Sequence, residues 1–239
     1  PVSAETIKYA SNAFLASKLS FVNAIANVCE AVGADVNDVV LGMGYDSRIG
    51  REFLRPGPGW GGSCFPKDTK ALAKIAEEAG YDFRFLNEVL HVNEEQFDRT
   101  AQKVIDSIEP HLVGRHVAAL GLTFKAGTDD LRDSPAVEVL RRVVAAGVPV
   151  KAYDPAVLAG ESDLEQMYPD LDIEVVSDPY AAAEGAASLA ILTEWDEFTW
   201  LDFDKLAEIM TGRNIVDGRN LLDPSIPQRR GFNYRGVGR

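Results

Sequence analysis

A chain of 239 residues, 46% apolar and 26% charged, has room for one large domain or two ordinary ones and can bury a core without covalent staples. Its net charge of −13 argues against a nucleic-acid partner, because that binding is driven by Lys and Arg neutralising phosphates. Two cysteines, Cys29 and Cys64, are too few for a disulfide framework, and no apolar run reaches the ~18 residues of a membrane helix, so a cytoplasmic location without membrane contact is expected.

The chain opens on a helical pattern. Ile7, Phe14, Leu15, Leu19, Val22, Ile25, Ala26, Cys29 and Val32 recur at spacings of three and four, which predicts one helix over 3–33 that Gly33 ends. Apolar residues cover more than one face of it, so one face is expected to pack on another subunit, making a homodimer. A short helix is expected at 35–42. A loop over 44–65 follows, then a helix from Pro66 to Gly80 with proline at its first position, then a long helix over 84–109 ended by Pro110.

Beyond that point the pattern changes. Strands are predicted at 116–124, 148–155, 173–178 and 188–195, with a further strand and loop at 214–220. Helices are predicted at 134–147, 179–186 and 203–210. Alternating strands and helices imply a parallel sheet covered on both faces, with ligands beyond the carboxyl ends of its strands. The expected fold is therefore α/β overall. A helical domain over 1–112 carries the cysteine loop and makes the dimer, and a Rossmann-like α/β domain follows over 113–239.

The loop before Cys64 concentrates the chemistry. Gly57, Gly59, Gly61 and Gly62 let backbone approach a ligand closely and present bare N–H groups. The helix that follows points its positive end back at the sulfur and Lys67 adds a cation; both favour a reactive thiolate. Asp68, in the first turn, supplies a carboxylate for base work. A lone cysteine is more often a small buried residue than a nucleophile, but these neighbours favour the chemical role. There is no CxxC, and His91, His111 and His116 lack ligand spacing, so no metal is expected.

Five segments carry a resemblance: "GPGWGGSCFPKDTKAL" (57–72), "AETIKYASNAFLA" (4–16), "GYDSRIG" (44–50), "GLTFKAGTDDLRDSPA" (121–136) and "VDGRN" (216–220). Together they resemble the nucleotide-sugar dehydrogenases of the UDP-glucose/GDP-mannose dehydrogenase family. The run around the cysteine is most similar to the UDP-glucose group; GDP-mannose and UDP-N-acetylmannosamine dehydrogenases are the alternatives.

The resemblance implies oxidation of UDP-glucose to UDP-glucuronate in two hydride transfers to NAD, through a thiohemiacetal and a thioester on Cys64. Lys8 and Asn12, four apart on one helix face, would stabilise charge on the reacting oxygen and position water. Asp68 would help activate the hydrolytic water. Phe53, Leu54, Arg55, Pro56, Gly57 and Gly61 match the loop that wraps the substrate. Arg48 matches an arginine that reaches a neighbouring subunit's substrate. Lys125 and Arg219 match substrate contacts, and Lys67 and Arg132 match NAD contacts.

The family's dinucleotide fingerprint is not found here. "LGMGYDSRIG" follows a helix rather than a strand and fails the structural test for that motif. The chain is thus expected to be the central and C-terminal part of such an enzyme, with NAD held mainly by an N-terminal domain it lacks, and to be inactive alone. A non-catalytic nucleotide-sugar-binding or dimerisation module is the reading from another class.

Overall fold

A computed structural model of the chain describes residues 2–112, 114–157 and 164–239. They form two compact units. One comprises Pro1–Gln96 with Val237–Arg239, and the other Phe97–Gly236.

The first unit is helical. Helix α1 spans Val2–Val32, α2 Val36–Gly44 and α3 Phe65–Glu78; α4, Arg84–Ile105, contributes its first turns. Gly33 takes a left-handed φ of 75° and ends α1 as expected. Asp35 caps α2, its side chain accepting from the Asn37 amide at 2.8 Å. The core gathers Ala13 and Ala16 of α1, Trp60 of the glycine loop, and Leu86 and Val89 of α4, with Phe65 and Leu72 of α3 packed against it. A smaller cluster of Ala26, Cys29 and Val36 takes in Val237 from the chain's end. Lys18 of α1 donates to the Ile49 and Glu52 carbonyls at 3.0 and 2.6 Å, organising the approach to the glycine loop.

The second unit is a six-stranded parallel sheet: β1 Val117–Leu120, β2 Val150–Tyr153, β3 Glu174–Val175, β4 Ser188–Ile191, β5 Asn214–Asp217 and β6 Asn233–Arg235, in the order β3-β2-β1-β4-β5-β6. This is the Rossmann order, with its reversal point between β1 and β4. Side chains alternate along β1: Val117 and Ala119 enter one core with α5 (Pro135–Ala145), while Ala118 and Leu120 enter the other with α7 (Pro179–Ala183) and α8 (Phe203–Ile209). Both faces of the sheet are thereby buried, which the apolar strands anticipated.

Three differences from expectation have local causes. The strands are shorter than predicted because the chain leaves the ladder early: Gly121 turns with φ 96°, and a Cβ there would lie 2.4 Å from Thr193. The units part at Gln96 and Phe97 rather than at 112/113. Phe97, Ala101 and Val104 in the second half of α4 bury against the sheet's helices instead of the helical core. Val113, where the second domain was expected to begin, lies outside the described residues. Short elements were missed altogether: α6 (Leu164–Met167), α9 (Ser225–Gln228) and β6, each too brief for a periodic signal.

Candidate functional site

Cys64 is the N-cap residue of α3, and Pro66 stands at the second helical position rather than the first. Proline costs nothing there either, since the first-turn amides have no intrahelical partner. The thiol is exposed and unpaired, with Ser63 Oγ 3.8 Å from its sulfur. The Asp68 amide donates to the Cys64 carbonyl at 2.9 Å, so nucleophile and carboxylate lie one helical turn apart.

Asp68 is fully buried. Its Oδ2 accepts from Asn12 Nδ2 at 2.6 Å and is paired with Lys8 Nζ at 3.3 Å. Its Oδ1 is buried without a hydrogen-bond partner. Such an acceptor is costly unless a ligand or water fills the place. Helix α1 thus holds Lys8 and Asn12, which their four-residue spacing puts on one face, against the first turn of α3. Lys8 keeps 59% of its side chain exposed, leaving ammonium protons free to face a bound molecule. Lys67 is exposed in the same turn.

The loop expected to wrap a substrate is half anchored and half free. Leu54, Pro56 and Gly57 are buried and Gly61 is half-buried, whereas Phe53 and Arg55 are exposed. Phe53 adopts a left-handed φ of 59°, a strained setting for an aromatic residue, and its ring meets that of Phe65 edge-on at 6.1 Å. Arg48 is exposed and ion-paired with Asp46. It borders an apolar cavity of about 570 Å³ lined by Phe14 and Phe21 of α1, Ile49, Leu54 and Phe85.

In the α/β unit the candidate residues gather beyond the carboxyl ends of β1, β4 and β5. Arg219 is the hub. Its Nε donates to the Leu192 carbonyl at 2.9 Å and sits 3.0 Å from Glu194 Oε2, and its Nη2 reaches the Phe124 carbonyl at 3.4 Å. One guanidinium therefore ties together the turns after β1 and β4 from its own turn after β5. Burial pulls it below the ordinary arginine pKa, against the opposing pull of Glu194 and Asp217. Lys125 is exposed, with its ammonium 5.2 Å from the centre of the Phe124 ring. Arg132 forks onto Asp130 at 2.8 and 2.7 Å, which holds the Asp130 carboxyl below the usual range.

Sequence reasoning missed Glu194, Asp154 and Asp217. Asp154 directly follows β2, Asp217 ends β5 and Glu194 stands three residues past β4, and that placement at the carboxyl ends of strands was the available signal. Among the described residues no group of three or more His, Cys, Asp or Glu side chains could hold a metal. No helix among the described residues is long and apolar enough to cross a membrane.

A family model described as the UDP-glucose/GDP-mannose dehydrogenase family, central domain, matches residues 2–95, and one for the same family's UDP binding domain matches residues 118–224. The chain belongs to the UDP-glucose/GDP-mannose dehydrogenase family. UDP-glucose 6-dehydrogenase of Rhizobium meliloti (strain 1021) is 46% identical over 235 residues, covering 98% of this chain and 53% of that protein. UDP-glucose 6-dehydrogenase TuaD of Bacillus subtilis (strain 168) is 44% identical, covering 99% and 50%. Among solved structures, a UDP-glucose dehydrogenase from the archaeon Pyrobaculum islandicum superposes with a TM-score of 0.82 at 35% identity, covering 100% of this chain and 51% of that one. The chain spans about half the length of the curated relatives it matches.

Family membership raises the question of a dinucleotide on this chain's own sheet. In a dinucleotide fold, the turn after the first strand offers free amides to a pyrophosphate, and an acidic residue after the second strand binds ribose. Here Asp154, directly after β2, is buried. Its Oδ2 accepts from the Leu122 and Thr123 amides at 2.7 and 3.0 Å, from Thr123 Oγ1 at 3.0 Å and from Trp195 Nε1 at 3.1 Å. The acid and the amides satisfy each other, and Thr193 fills the space beside Gly121. A dinucleotide pyrophosphate does not fit this turn.

Proposed function

We propose that the chain is the central and UDP-sugar-binding part of an NAD-dependent UDP-glucose 6-dehydrogenase, acting as a homodimer in the cytoplasm. The observation that carries this reading is the buried Asp68 carboxylate, gripped by Lys8 and Asn12 one turn after an exposed cysteine at a helix start. A pure binding module has no use for that constellation. NAD would supply hydride acceptance for both oxidations.

The residues here do the rest. Once the C6 alcohol has become an aldehyde, the Cys64 thiolate adds to its carbon, and Lys8 and Asn12 donate to the oxygen that gains charge. Oxidation of that thiohemiacetal leaves a thioester. Water, one proton taken by Asp68, attacks the carbonyl carbon; the C–S bond breaks, restoring the thiolate and releasing the carboxylic acid, whose remaining proton passes to solvent. The partnerless Asp68 Oδ1 supports the water-holding role. Arg219 and Lys125 supply cations for the diphosphate, with guanidinium suited to its oxygens. The exposed cations Lys67 and Arg132 suit the cofactor's anionic edge.

The dimer reading rests on α1, where Ile7, Phe14, Phe21 and Val28 recur once per heptad and are all exposed, with small Ala10, Ser17, Ala24 and Ala31 between them. Arg48 lines the cavity along that stripe, which supports its reaching a partner's substrate. Unpaired Cys29 and Cys64 suit a reducing compartment.

Calorimetric titration with UDP-glucose and with GDP-mannose tests the reading, together with alkylation of Cys64 in the presence of each. Selective binding of UDP-glucose and protection of the thiol are expected. A thiol that UDP-glucose leaves fully reactive would overturn the assignment.

A further inference from the structure

Residues 56–60 are all buried, yet they belong to no helix or strand. Buried backbone groups need partners, and an irregular loop cannot provide them from within. Three side-chain amides on α1 and α4 do so. Asn23 Oδ1 accepts from the Gly57 amide at 2.9 Å, and Gln96 Nε2 donates to the Gly57 carbonyl at 2.8 Å. Asn93 takes both polar groups of Trp60: its Oδ1 accepts from the amide at 2.8 Å and its Nδ2 donates to the carbonyl at 2.9 Å. These three side chains are 2%, 2% and 5% exposed for Asn23, Gln96 and Asn93, so solvent cannot replace them. Asn27 in turn donates to Gln96 Oε1 at 3.0 Å, fixing which way that amide points. The Trp60 indole donates to Ser20 Oγ at 2.8 Å, and Ser20 donates to the Val89 carbonyl at 2.8 Å.

The arrangement treats a loop as though it were a strand: Asn93 offers the donor and acceptor that a neighbouring strand would offer. Between Trp60 and Cys64 stand only Gly61, Gly62 with φ 82°, and Ser63. The clamp is therefore the last fixed point on the loop side of the sulfur. On the other side the anchor is α3, whose Asp68 is held by Lys8 and Asn12.

We infer that Asn93, supported by Gln96 and Asn23, is a positioning residue: it holds the glycine loop so that the Cys64 thiol faces the helix start in register with Asp68. The inference builds on the proposed dehydrogenase reading, in which that thiol is the nucleophile, but its test reads the thiol directly. Misplacing a reacting atom by an ångström is enough to change rates severalfold.

The test uses the whole 239-residue chain. Alkylation of Cys64 by iodoacetamide is followed by mass spectrometry at neutral pH in wild type, Asn93→Ala, Asn93→Asp and Gln96→Ala, alongside thermal unfolding. The aspartate keeps an acceptor for the Trp60 amide but turns a second oxygen on the Trp60 carbonyl. Variants that still unfold cooperatively should alkylate at a rate at least about fivefold away from wild type, because iodoacetamide reports the access and surroundings of the thiol. A lowered melting temperature with a wild-type alkylation rate would mean a merely structural role and overturn the inference. Amide exchange in the unmodified chain decides independently of whether the variants fold. Gly57 and Trp60 should exchange as slowly as the buried turns of α1, and exchange as fast as exposed loop amides would overturn the clamp. Failure of UDP-glucose to protect wild-type Cys64 would strike the proposed function while leaving the clamp standing.

Discussion

Asp68 was readable as a first-turn acid, a residue type that complements a helix dipole wherever it stands. What could not be read was that it is fully buried, with one oxygen shared by Lys8 and Asn12 and the other left without a partner. The spacing of Lys8 and Asn12 placed them on one face, and only packing of α1 on α3 says which residue that face meets. On the proposed function, Cys64→Ala in the assembled enzyme abolishes formation of the acid while UDP-glucose affinity in a titration stays within about twofold, because the thiol acts on the reacting carbon and adds little to ground-state binding. Undiminished product formation would sink the nucleophile role. His116 offers a test of a different kind. Burial lowers its pKa, and the Ala182 carbonyl 2.9 Å from Nε2 opposes this only in part. The folded state therefore binds this proton less readily than the unfolded chain does. Stability is fully present above the unfolded value of about 6.5 and declines as pH falls below it. Urea denaturation at about pH 7.5 and 5.5 should show a smaller loss for His116→Gln, which keeps a donor without a titrating ring. An equal loss in both proteins would exclude His116 as the cause.

Among the elements, the helices were the most legible because their apolar period extends over many turns. The strands were overestimated. The apolar run at 116–124 continues past β1, but its last residues are apolar for a different reason: they pack the turn that Asp154 organises. Ser134 illustrates how a cap serves two elements. It caps α5, with its hydroxyl 3.5 Å from the Val137 amide, and donates to the Leu122 carbonyl at 2.6 Å while fully buried. Ser134→Ala should cost about 1–2 kcal/mol, the loss of a cap plus a stranded carbonyl, measurable by denaturant unfolding. A change near zero would show that water takes the hydroxyl's place. Gly121 faces a harder limit. Its φ of 96° and the 2.4 Å approach to Thr193 leave a methyl group no room, so Gly121→Ala should lose at least about 2 kcal/mol by the same measurement. The sequence reading leaves this glycine inside an apolar run over 116–124 and gives no sign of the turn.

For the whole molecule, net charge and composition excluded classes of partner without pointing to one. The exposed heptad stripe of α1 does point to one. Ile7 and Phe14 are 65% and 66% exposed, and Phe21 and Val28 are 52% and 54% exposed, a contiguous apolar line that a soluble helix does not ordinarily leave bare. Phe14→Glu with Phe21→Glu should convert the proposed dimer to a monomer in light scattering while the far-ultraviolet helix signal is kept. A dimer that survives both changes would place the interface elsewhere. The division of the chain was legible as a change from helical to alternating pattern, but its position was not. A continuous α4 shows no break where its burial switches from one core to the other.

Periodicity, glycine and proline placement and the long irregular run around Cys64 determined by themselves that helices precede a parallel α/β sheet and that a cysteine stands in a glycine loop at a helix start. These are local properties, set by neighbours in the chain. Tertiary structure alone decided the partners of Asp68, the amide grip on residues 57–60, the joining of three turns by Arg219 and the closure of the first turn to a dinucleotide by Asp154. Each of these joins residues far apart in sequence, and a pairing of that kind leaves no periodic trace because it is set by which faces pack and by the need of every buried polar group for a partner.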